Sequence, residues 1–530
     1  MCQSDPGIKS FLVNARHFRS ASLSEMSNHH IVAMLAPAWG HTISYIHLAT
    51  QLLQRDPTLA ITLVQHSSMV AQMEAELSTC VYDAARLRII GVGEKELSMG
   101  PITFKQVFGQ LVAGWMENIP KLVQGSKGWP KPQALHIDFL GGGFVIEPTK
   151  EIVDPDCKIL VWFSTALVSM PGALNEYDFE AIAQEIHADE ARRQGRSMDD
   201  ILTEVALSWN GTDKHSGLVI KFPGAPDMYD YERFAHAATA PDGLGRLFAA
   251  AQKLAKLADG YIVPTVLCLE PVGVPHCREL YRKLGQELFT VGLQTHDLAW
   301  SDAAPVPPTN AVVGTFLNNV VSQYGPRSVL YISFGSFFFP LATPQLIEAL
   351  VNTLLDLDNP FPFIFALGGK MASLPWEIID RVNSSGRGLV CESWVEQRAI
   401  LQHEGVGWFL THGGFNSITE SLSQGIPLIV WPTNAEQPIN AALLSSEPNP
   451  VAIELLQVRT GRQLGPSLRG GPNITGTVDD ASAEFRAAFD AARGARGAVL
   501  TANARKLAKA LREARAGEAS EELIRLAAFH

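Results

Sequence analysis

Residues 394–437 read WVEQRAILQHEGVGWFLTHGGFNSITESLSQGIPLIVWPTNAEQ, in which two apolar runs enclose a glycine turn. A short apolar run bounded by glycine, residues 405–411, is typical of a buried strand. The next six residues, 412–417, hold two glycines and end in Asn-Ser, a pair suited to open a helix at its N-cap. A second apolar run occupies residues 427–431. The pattern predicts one β-α-β unit of a parallel sheet.

The junction between that strand and that helix is predicted to bind an anion. Backbone N–H groups at a helix N-terminus are free to donate, and the helix dipole favours a negative charge there. Glycine turns precede helices in many α/β proteins, so His412-Gly413-Gly414 alone leaves open whether this turn binds a ligand. The full order of aromatic residue, strand, glycine turn, helix start and Glu-Gln pair supplies groups for the base, pyrophosphate, ribose and sugar of a sugar nucleotide.

The whole stretch resembles the signature box of the family 1 glycosyltransferases, and it matches the plant version of that box without a gap. This UDP-sugar-dependent family includes plant secondary-product enzymes and animal UDP-glucuronosyl enzymes. The resemblance implies an α/β chain with the GT-B fold, in which two Rossmann-like, doubly wound parallel-sheet domains face each other across a cleft. It also implies inverting transfer of a sugar from a UDP-sugar, giving a β-glycoside.

The resemblance assigns donor-binding roles to positions of this box. Trp394 would stack on uracil with Gln397 beside the base, and Glu420 would accept hydrogen bonds from the ribose hydroxyls. The pyrophosphate would be bound by side chains and backbone N–H groups at two strand-to-helix turns: Ser336, His412, Gly414, Phe415, Asn416 and Ser417. Ser336 closes the turn after a predicted strand of the second half, and it could instead be a mere turn residue.

The sugar itself would be held by Glu436 and Gln437, the last two residues of the box. The plant box usually has Pro at Glu396, Trp at Phe415 and Asp at Glu436, so the reach of the carboxylate to the sugar differs here. Glucose enzymes of the family usually carry Gln at the position of Gln437. UDP-glucose is therefore the expected donor, with UDP-xylose and UDP-N-acetylglucosamine as alternatives.

Catalysis needs a base that removes the proton of the acceptor hydroxyl. His41 lies where the first predicted strand turns into the first helix, at the sheet edge where ligands bind in open α/β folds. An imidazole titrates near neutrality and can act as that base, although His41 could also cap the helix or fill the turn. The motif PAWGH resembles the family's P-x-x-G-H, which implies that His41 is the catalytic base.

A base of this kind needs an acid partner that orients it and stabilises the imidazolium. Asp138 ends an apolar strand and precedes a glycine turn, and the resemblance implies that it pairs with His41. Asp138 could otherwise be only the N-cap of the following helix.

Length and composition are compatible with two or three domains in a chain of 530 residues. Residues 1–28 are polar and expected to be disordered, and residues 29–294 are expected to form the acceptor-binding Rossmann-like domain. A Pro-rich linker is predicted at 295–312, and the UDP-sugar-binding domain at 313–505. The last segment, 506–530, is expected to be a helix that packs back on the N-terminal domain.

The formal net charge of −12 argues against nucleic acid or an anionic membrane as a main partner. Six scattered cysteines without a C-x-x-C pair indicate reduced thiols and neither a disulfide frame nor a zinc site. No apolar run reaches membrane-spanning length, and no signal-peptide core is evident. A cytoplasmic monomer is expected. The resemblance implies no metal ion and no cofactor besides the UDP-sugar, which is the donor substrate.

The acceptor pocket is expected to come from residues 97–116 and 165–245. Apolar side chains in the first segment suit a small lipophilic molecule with a hydroxyl, such as a terpenoid, a sterol or a phenolic, or they form the core face of a helix. The glycine-rich loop 459–476 is expected to be flexible and solvated. Other hypotheses are an epimerase or phosphorylase of the same fold, and a non-catalytic UDP-sugar-binding subunit, which would be expected to lack His41 or Asp138.

Overall fold

The computed structural model describes residues 28–95, 101–175, 177–209, 217–233, 235–236, 241–301, 305–336, 338–369 and 372–530. Residues 1–27 of the segment predicted to be disordered lie outside these ranges. Residues 97–100 of the predicted acceptor segment also lie outside them.

The described strands alternate with helices along both halves of the chain. They are β1 (His29–Met34), β2 (Leu59–His66), β3 (Leu87–Val92), β4 (Ala134–Asp138), β5 (Lys158–Trp162), β6 (Val219–Phe222), β7 (Ala225–Tyr229), β8 (Gly260–Val263), β9 (Glu287–Thr290), β10 (Val329–Ser333), β11 (Phe363–Ala366), β12 (Gly388–Cys391), β13 (Val406–Thr411), β14 (Leu428–Val430) and β15 (Ala452–Glu454).

The helices cover both faces of the sheets and also form the C-terminal end of the chain. They are α1 (Trp39–Arg55), α2 (Ser67–Leu77), α3 (Pro101–Leu122), α4 (Ile146–Ile152), α5 (Met170–Leu174), α6 (Phe179–Ala188), α7 (Glu190–Arg193), α8 (Met198–Trp209), α9 (Pro241–Leu257), α10 (Gly273–Lys283), α11 (Ala311–Tyr324), α12 (Pro344–Leu355), α13 (Trp376–Ser384), α14 (Gln397–Gln402), α15 (Phe415–Ser423), α16 (Gln437–Ser445), α17 (Val478–Arg493), α18 (Ala495–Ala516) and α19 (Glu518–Ala527).

Two parallel sheets organise the described residues. The first has the order β3-β2-β1-β4-β5-β8-β9, and the second has the order β12-β11-β10-β13-β14-β15. In each sheet the chain leaves the first strand in one direction and later returns to its other side, which creates a switch point between β1 and β4 and between β10 and β13. The prediction of two Rossmann-like, doubly wound domains is confirmed. A separate antiparallel hairpin joins β6 and β7.

The strands form where apolar runs can be buried on both faces. All eight residues of β2 are buried, and α1 buries Ile46, Ala49 and Leu53 against the first sheet. The helical spacing of these apolar residues is what predicts α1 from the sequence. Strand β13 begins one residue later than the predicted run 405–411, and β14 is one residue shorter at each end than the predicted run 427–431.

The C-terminal helices connect the two halves. Helix α18 packs against α15 and α17 of the second half, and α19 packs against α1 and β9 of the first half. Leu523 and Leu526 of α19 join the core cluster that contains Ile46 and Phe289. Arg525 donates to Glu287 Oε2 at 2.7 Å. Among the described helices, none combines the length and the apolar character that crossing a membrane requires.

Candidate active site between the two sheets

A histidine–aspartate pair lies at the switch point of the first sheet. Asp138 is the last residue of β4, and His41 lies in the first turn of α1, which follows the neighbouring strand β1. The Nδ1 atom of His41 lies 3.0 Å from Oδ2 and 3.1 Å from Oδ1 of Asp138. Asp138 is buried and His41 is partly open to the cleft, so Nε2 is the ring nitrogen left to face a substrate.

Surrounding groups hold this pair in place. The indole N–H of Trp162 donates to the backbone oxygen of His41 at 3.2 Å, and the ring of Phe139 stacks on the imidazole with centroids 5.4 Å apart. The N–H of Leu140 donates to Asp138 Oδ1 at 3.0 Å. Asp138 therefore binds both the turn that follows it and His41. It is not the N-cap of the following helix, because Gly141 and Val145 hold that position in the next two helical segments.

The charges around His41 raise its pKa. Burial acts to lower the pKa of the imidazole, but the carboxylate of Asp138, and to a smaller extent that of Glu436, outweighs burial and leaves the pKa above its ordinary value of 6.5. Glu436 belongs to the second half, and burial raises the pKa of its carboxyl. The two halves thus approach each other at this point, with the histidine on one side and a carboxyl on the other.

His412 lies at the switch point of the second sheet, directly after β13. It is buried, and burial lowers its pKa to about 4, which keeps the imidazole neutral. Two glycines make room for the ring: a Cβ on Gly414 would lie 2.4 Å from its Nε2, and a Cβ on Gly335 would lie 2.6 Å from its Cε1. Ser336 follows Gly335 in the turn after β10. Ser336 and His412, both candidates for binding the pyrophosphate, therefore lie close together.

Helix α15 begins one residue earlier than expected. It starts at Phe415 with Gly414 as the N-cap, and no side chain caps it, so the prediction that Asn416 and Ser417 open the helix is wrong. The glycine is required because a side chain there would collide with His412. The side chain of Asn416 instead donates to the backbone oxygen of Gly40, across to the first half. The first-turn N–H groups have no intrahelical acceptor and remain suited to an anion.

The candidate base and ribose residues lie together beside this turn. Gln397 Nε2 donates to Glu420 Oε2 at 2.7 Å, and Tyr331 donates to Gln397 Oε1 at 3.4 Å. Burial raises the pKa of Glu420, although the hydrogen bond from Gln397 acts to lower it. Trp394 is 55% exposed, and its ring lies over Gly368, where a Cβ would be 3.3 Å from the indole. One open indole face is therefore available for a planar ring.

The Glu-Gln pair that ends the box starts α16. Glu436 is the N-cap of this helix and is half-buried, whereas Gln437 is buried. The Oε1 atom of Gln437 accepts from the N–H of Thr433 at 2.9 Å, from its hydroxyl at 2.7 Å and from the N–H of Asn434 at 2.9 Å. Because the carbonyl oxygen holds its own loop, only the amide nitrogen of Gln437 is left to meet a sugar hydroxyl.

A contact between the two halves beside this loop was missed by the sequence interpretation. Glu232 is buried and accepts from Ser467 Oγ at 2.6 Å and from the N–H of Leu468 at 2.8 Å. Arg459 donates to the backbone oxygen of Glu232 at 2.7 Å and forms a buried ion pair with Glu454 at 3.1 Å. We call these five residues the Arg459–Glu232 clasp.

The expectation of a solvated loop at 459–476 is therefore wrong at Arg459 and Ser467, because both are buried. The segment after Glu232 reaches the loop that precedes Glu436, since the N–H of His236 donates to the backbone oxygen of Thr433 at 3.1 Å. The glycine and proline content suggests a solvated loop. No sequence motif indicates that the distant carboxylate of Glu232 accepts hydrogen bonds from it.

The first predicted acceptor segment belongs largely to the core. Leu111 and Trp115 of α3 are fully buried, and the indole N–H of Trp115 donates to Thr149 at 2.9 Å. Phe108, also on α3, lies near the candidate site. A Cβ on Gly141, in the turn after Asp138, would lie 3.0 Å from its ring. Phe139, which stacks on His41, also contacts Phe163, with centroids 4.8 Å apart. Aromatic side chains thus lie on and near the histidine–aspartate pair.

Comparisons with known proteins agree with this geometry. The family model described as UDP-glucoronosyl and UDP-glucosyl transferase matches residues 308–464, which include the whole 394–437 box. A UDP-glycosyltransferase of Hericium erinaceus, eriJ, is 27% identical over 92% of this chain and 95% of its own length. UDP-glycosyltransferase 72E1 of Arabidopsis thaliana is 26% identical over 79% of this chain and 82% of its own.

Solved structures share the fold. Medicago truncatula UGT71G1, complexed with UDP-glucose, has a TM-score of 0.66 at 17% identity and covers 94% of this chain and 98% of its own. A UDP-glucosyltransferase from Polygonum tinctorium has a TM-score of 0.65 at 19% identity and covers 95% of this chain and 99% of its own. These structures share the fold, and the family model and the curated relatives confirm the resemblance carried by residues 394–437. The chain is similar to UDP-glycosyltransferases over most of its length, and it is a glycosyltransferase.

Proposed function

We propose that this enzyme transfers a hexose, with glucose as the first choice, from a UDP-sugar to a hydroxyl of a small, largely apolar acceptor. The main support is the hydrogen bond between His41 Nδ1 and the buried Asp138 at 3.0 Å in the first sheet, while the donor-binding turn belongs to the second sheet. His41 Nε2 would take the proton of the acceptor hydroxyl as its oxygen attacks the anomeric carbon. The bond from that carbon to UDP breaks on the other face, which inverts the configuration.

The leaving group would be stabilised by uncharged donors. His412 is neutral and can donate one hydrogen bond, and the first-turn N–H groups of α15 face the same place. On the acceptor side, the aromatic rings near His41 favour a terpenoid, sterol or phenolic body over a polar one. UDP-xylose and UDP-N-acetylglucosamine remain alternative donors, because Gln437 keeps only its amide nitrogen for the sugar.

The proposal is tested by mass spectrometry of the intact enzyme incubated with UDP-glucose, UDP-xylose or UDP-N-acetylglucosamine and a mixed library of hydroxylated small molecules. We expect acceptor masses increased by one hexose with UDP-glucose, and weaker or no products with the other donors. Binding of UDP without transfer to any acceptor would contradict the proposal.

The pH dependence follows from the charges around His41. A general base acts in its deprotonated form, and the pKa of His41 is raised above 6.5 by Asp138. We therefore expect kcat to fall as the pH drops through a pKa above 6.5 and to level off at higher pH. The residual activity of Asp138→Asn should titrate at a lower pH than that of the wild type. A wild-type profile that is flat from pH 5 to 8 would contradict this assignment.

Metal chelation is expected to leave activity intact. Two D-x-D sequences occur, at 154–156 and 356–358, but they precede β5 and β11 and so lie at the sheet edges opposite to the site. Asp154 is exposed and caps the N–H of Asp156 at 3.1 Å. We expect kcat in excess EDTA to be no lower than without it. A loss of activity that Mg²⁺ restores would show that a cation takes part in the transfer.

We also propose the domain limits, the cellular compartment and the oligomeric state of the enzyme. Residues 29–294 and 313–505 would form the acceptor and donor domains, joined by the linker 295–312. Residues 506–530 would run from the second part of α18 into α19, which packs on the first half. The enzyme would act as a cytoplasmic monomer. In support, the described cysteines are free, as is typical of a reducing compartment: Cys80, Cys157, Cys268, Cys277 and Cys391.

A further inference from the structure

A second group of reactive side chains lies outside the donor site and the histidine–aspartate pair, where α1 meets the end of α2. His47, Glu76 and Cys80 each present one nitrogen, oxygen or sulfur atom, and these atoms lie within 4.8 Å of one another. His47 Nε2 is 3.4 Å from Glu76 Oε1, and His47 Nδ1 is 3.9 Å from Cys80 Sγ. Glu76 and Cys80 are separated by one helical turn, which places both on the face toward His47.

The carboxyl of this cluster is poorly satisfied. Glu76 Oε1 is enclosed by protein and has no hydrogen-bond partner among the described residues. Its charged neighbour is the guanidinium of Arg398, 3.7 Å away. Burial lowers the pKa of His47 well below its ordinary value, so the imidazole is neutral and supplies a lone pair but no compensating charge. An enclosed carboxylate oxygen beside a neutral imidazole and a thiol is a site that a cation would stabilise.

We propose that His47, Glu76 and Cys80 bind a thiophilic divalent cation such as Zn²⁺, in competition with Arg398 for the carboxylate, a site that the spacing of the cysteines in the sequence does not indicate. Nitrogen, thiolate and carboxylate ligands are those that zinc takes, and three protein ligands leave a fourth position for water. Burial raises the pKa of the Cys80 thiol to about 11. The cation therefore displaces a proton from the thiol to the solvent, and binding strengthens as the pH rises.

His296, although close, is engaged elsewhere. Its ring lies 5.6 Å from that of His47, but its Nε2 lies 3.0 Å from the hydroxyl of Thr79, and its Nδ1 accepts from the N–H of Leu298 at 3.0 Å. Both ring nitrogens thus have partners. The ligand set is limited to the three residues of the cluster.

Binding is expected to inhibit transfer, because Arg398 belongs to the other half of the molecule. Arg398 follows Gln397 on α14, and Gln397 holds Glu420 of the donor site. A cation that takes the carboxylate of Glu76 removes an ion pair that joins the two halves beside the donor site. The cation site is thus inhibitory and plays no part in the transfer chemistry. Its existence does not depend on the proposed substrates.

The test is titration of the full-length chain, free of substrates, with Zn²⁺ by calorimetry and with Co²⁺ by absorption. We expect one equivalent of each and, for Co²⁺, a thiolate-to-metal charge-transfer band. Cys80→Ser should abolish the band and weaken Zn²⁺ binding by at least the roughly 10- to 100-fold that even outer-sphere partners contribute. Cys268→Ser is the matched control, since Cys268 is also free and half-buried, and it should change neither result.

A second variant tests the competition in the opposite direction. Arg398→Gln releases the carboxylate of Glu76, so it should tighten Zn²⁺ binding while Glu76→Gln weakens it. Circular dichroism confirms that each variant is folded. The proposal is overturned if the wild type binds no stoichiometric Zn²⁺, or if Cys80→Ser and Cys268→Ser bind it as the wild type does, which would show adventitious surface binding only.

Discussion

Replacing His41 by alanine is expected to lower kcat by roughly 10²- to 10⁴-fold, the usual contribution of a general base. The affinity for UDP should stay unchanged, because the groups proposed to bind UDP lie at the other sheet. The physical reason is that the acceptor oxygen must lose its proton as it attacks, and His41 Nε2 is the nitrogen that Asp138 leaves free. Steady-state kinetics with calorimetric titration of UDP measure the two effects separately.

Asp138→Asn should behave similarly, since an amide cannot stabilise the imidazolium that forms. Asp154→Asn is the matched control: Asp154 is exposed at the opposite edge of the same sheet, and its loss should leave kcat unchanged. If His41→Ala kept kcat within a factor of ten of the wild type, or lost UDP affinity in proportion, the assignment of the base would be wrong.

Replacing Arg459 by methionine is expected to destabilise the fold by about 1–3 kcal/mol, the cost of leaving buried acceptors without their donor, while Arg469 still pairs with Glu454 at 2.7 Å. Arg459 is almost completely buried, pairs with Glu454 at 3.1 Å and donates to the backbone oxygen of Glu232. Arg459 also holds the backbone of Glu232, and the segment after Glu232 bonds to Thr433 through His236, so the KM for the donor should rise in the same variant. Urea denaturation gives the loss of stability from the shift of the midpoint.

The control for this variant is Arg496→Met. Arg496 pairs with Glu447 at 3.0 Å, but both side chains are exposed, so the loss should be below about 1 kcal/mol. Equal midpoints for the two variants would mean that the clasp contributes no more than a surface ion pair.

Most of the fold is encoded in local patterns. Apolar runs such as β2 and β13 are bounded by turns, and helices such as α1 show apolar residues at helical spacing, so strands and helices could be predicted one by one. The candidate residues His41, Asp138 and His412 follow strand ends, and parallel strands bring such residues to one edge. That rule predicts their location without any knowledge of side-chain contacts.

Contacts between distant segments could not be predicted in this way. Nothing near Arg459 indicates that Glu232 of the other half accepts its hydrogen bond. The start of α15 also depends on such a contact: Asn416 looks like a helix cap, but its side chain bonds to Gly40, and Gly414 takes the cap position because His412 leaves no room for a side chain. Local propensity was overridden by packing across the cleft.

The most direct test of the proposed mechanism is the anomeric configuration of the product made from UDP-glucose, read from the proton NMR coupling of the anomeric hydrogen. Attack by an acceptor held at His41, with UDP leaving toward His412 on the opposite side, converts the α-linked donor into a β-glycoside. A β-glucoside as the sole initial product is the predicted result. An α-glucoside would contradict the proposed placement of donor and acceptor on opposite faces of the anomeric carbon.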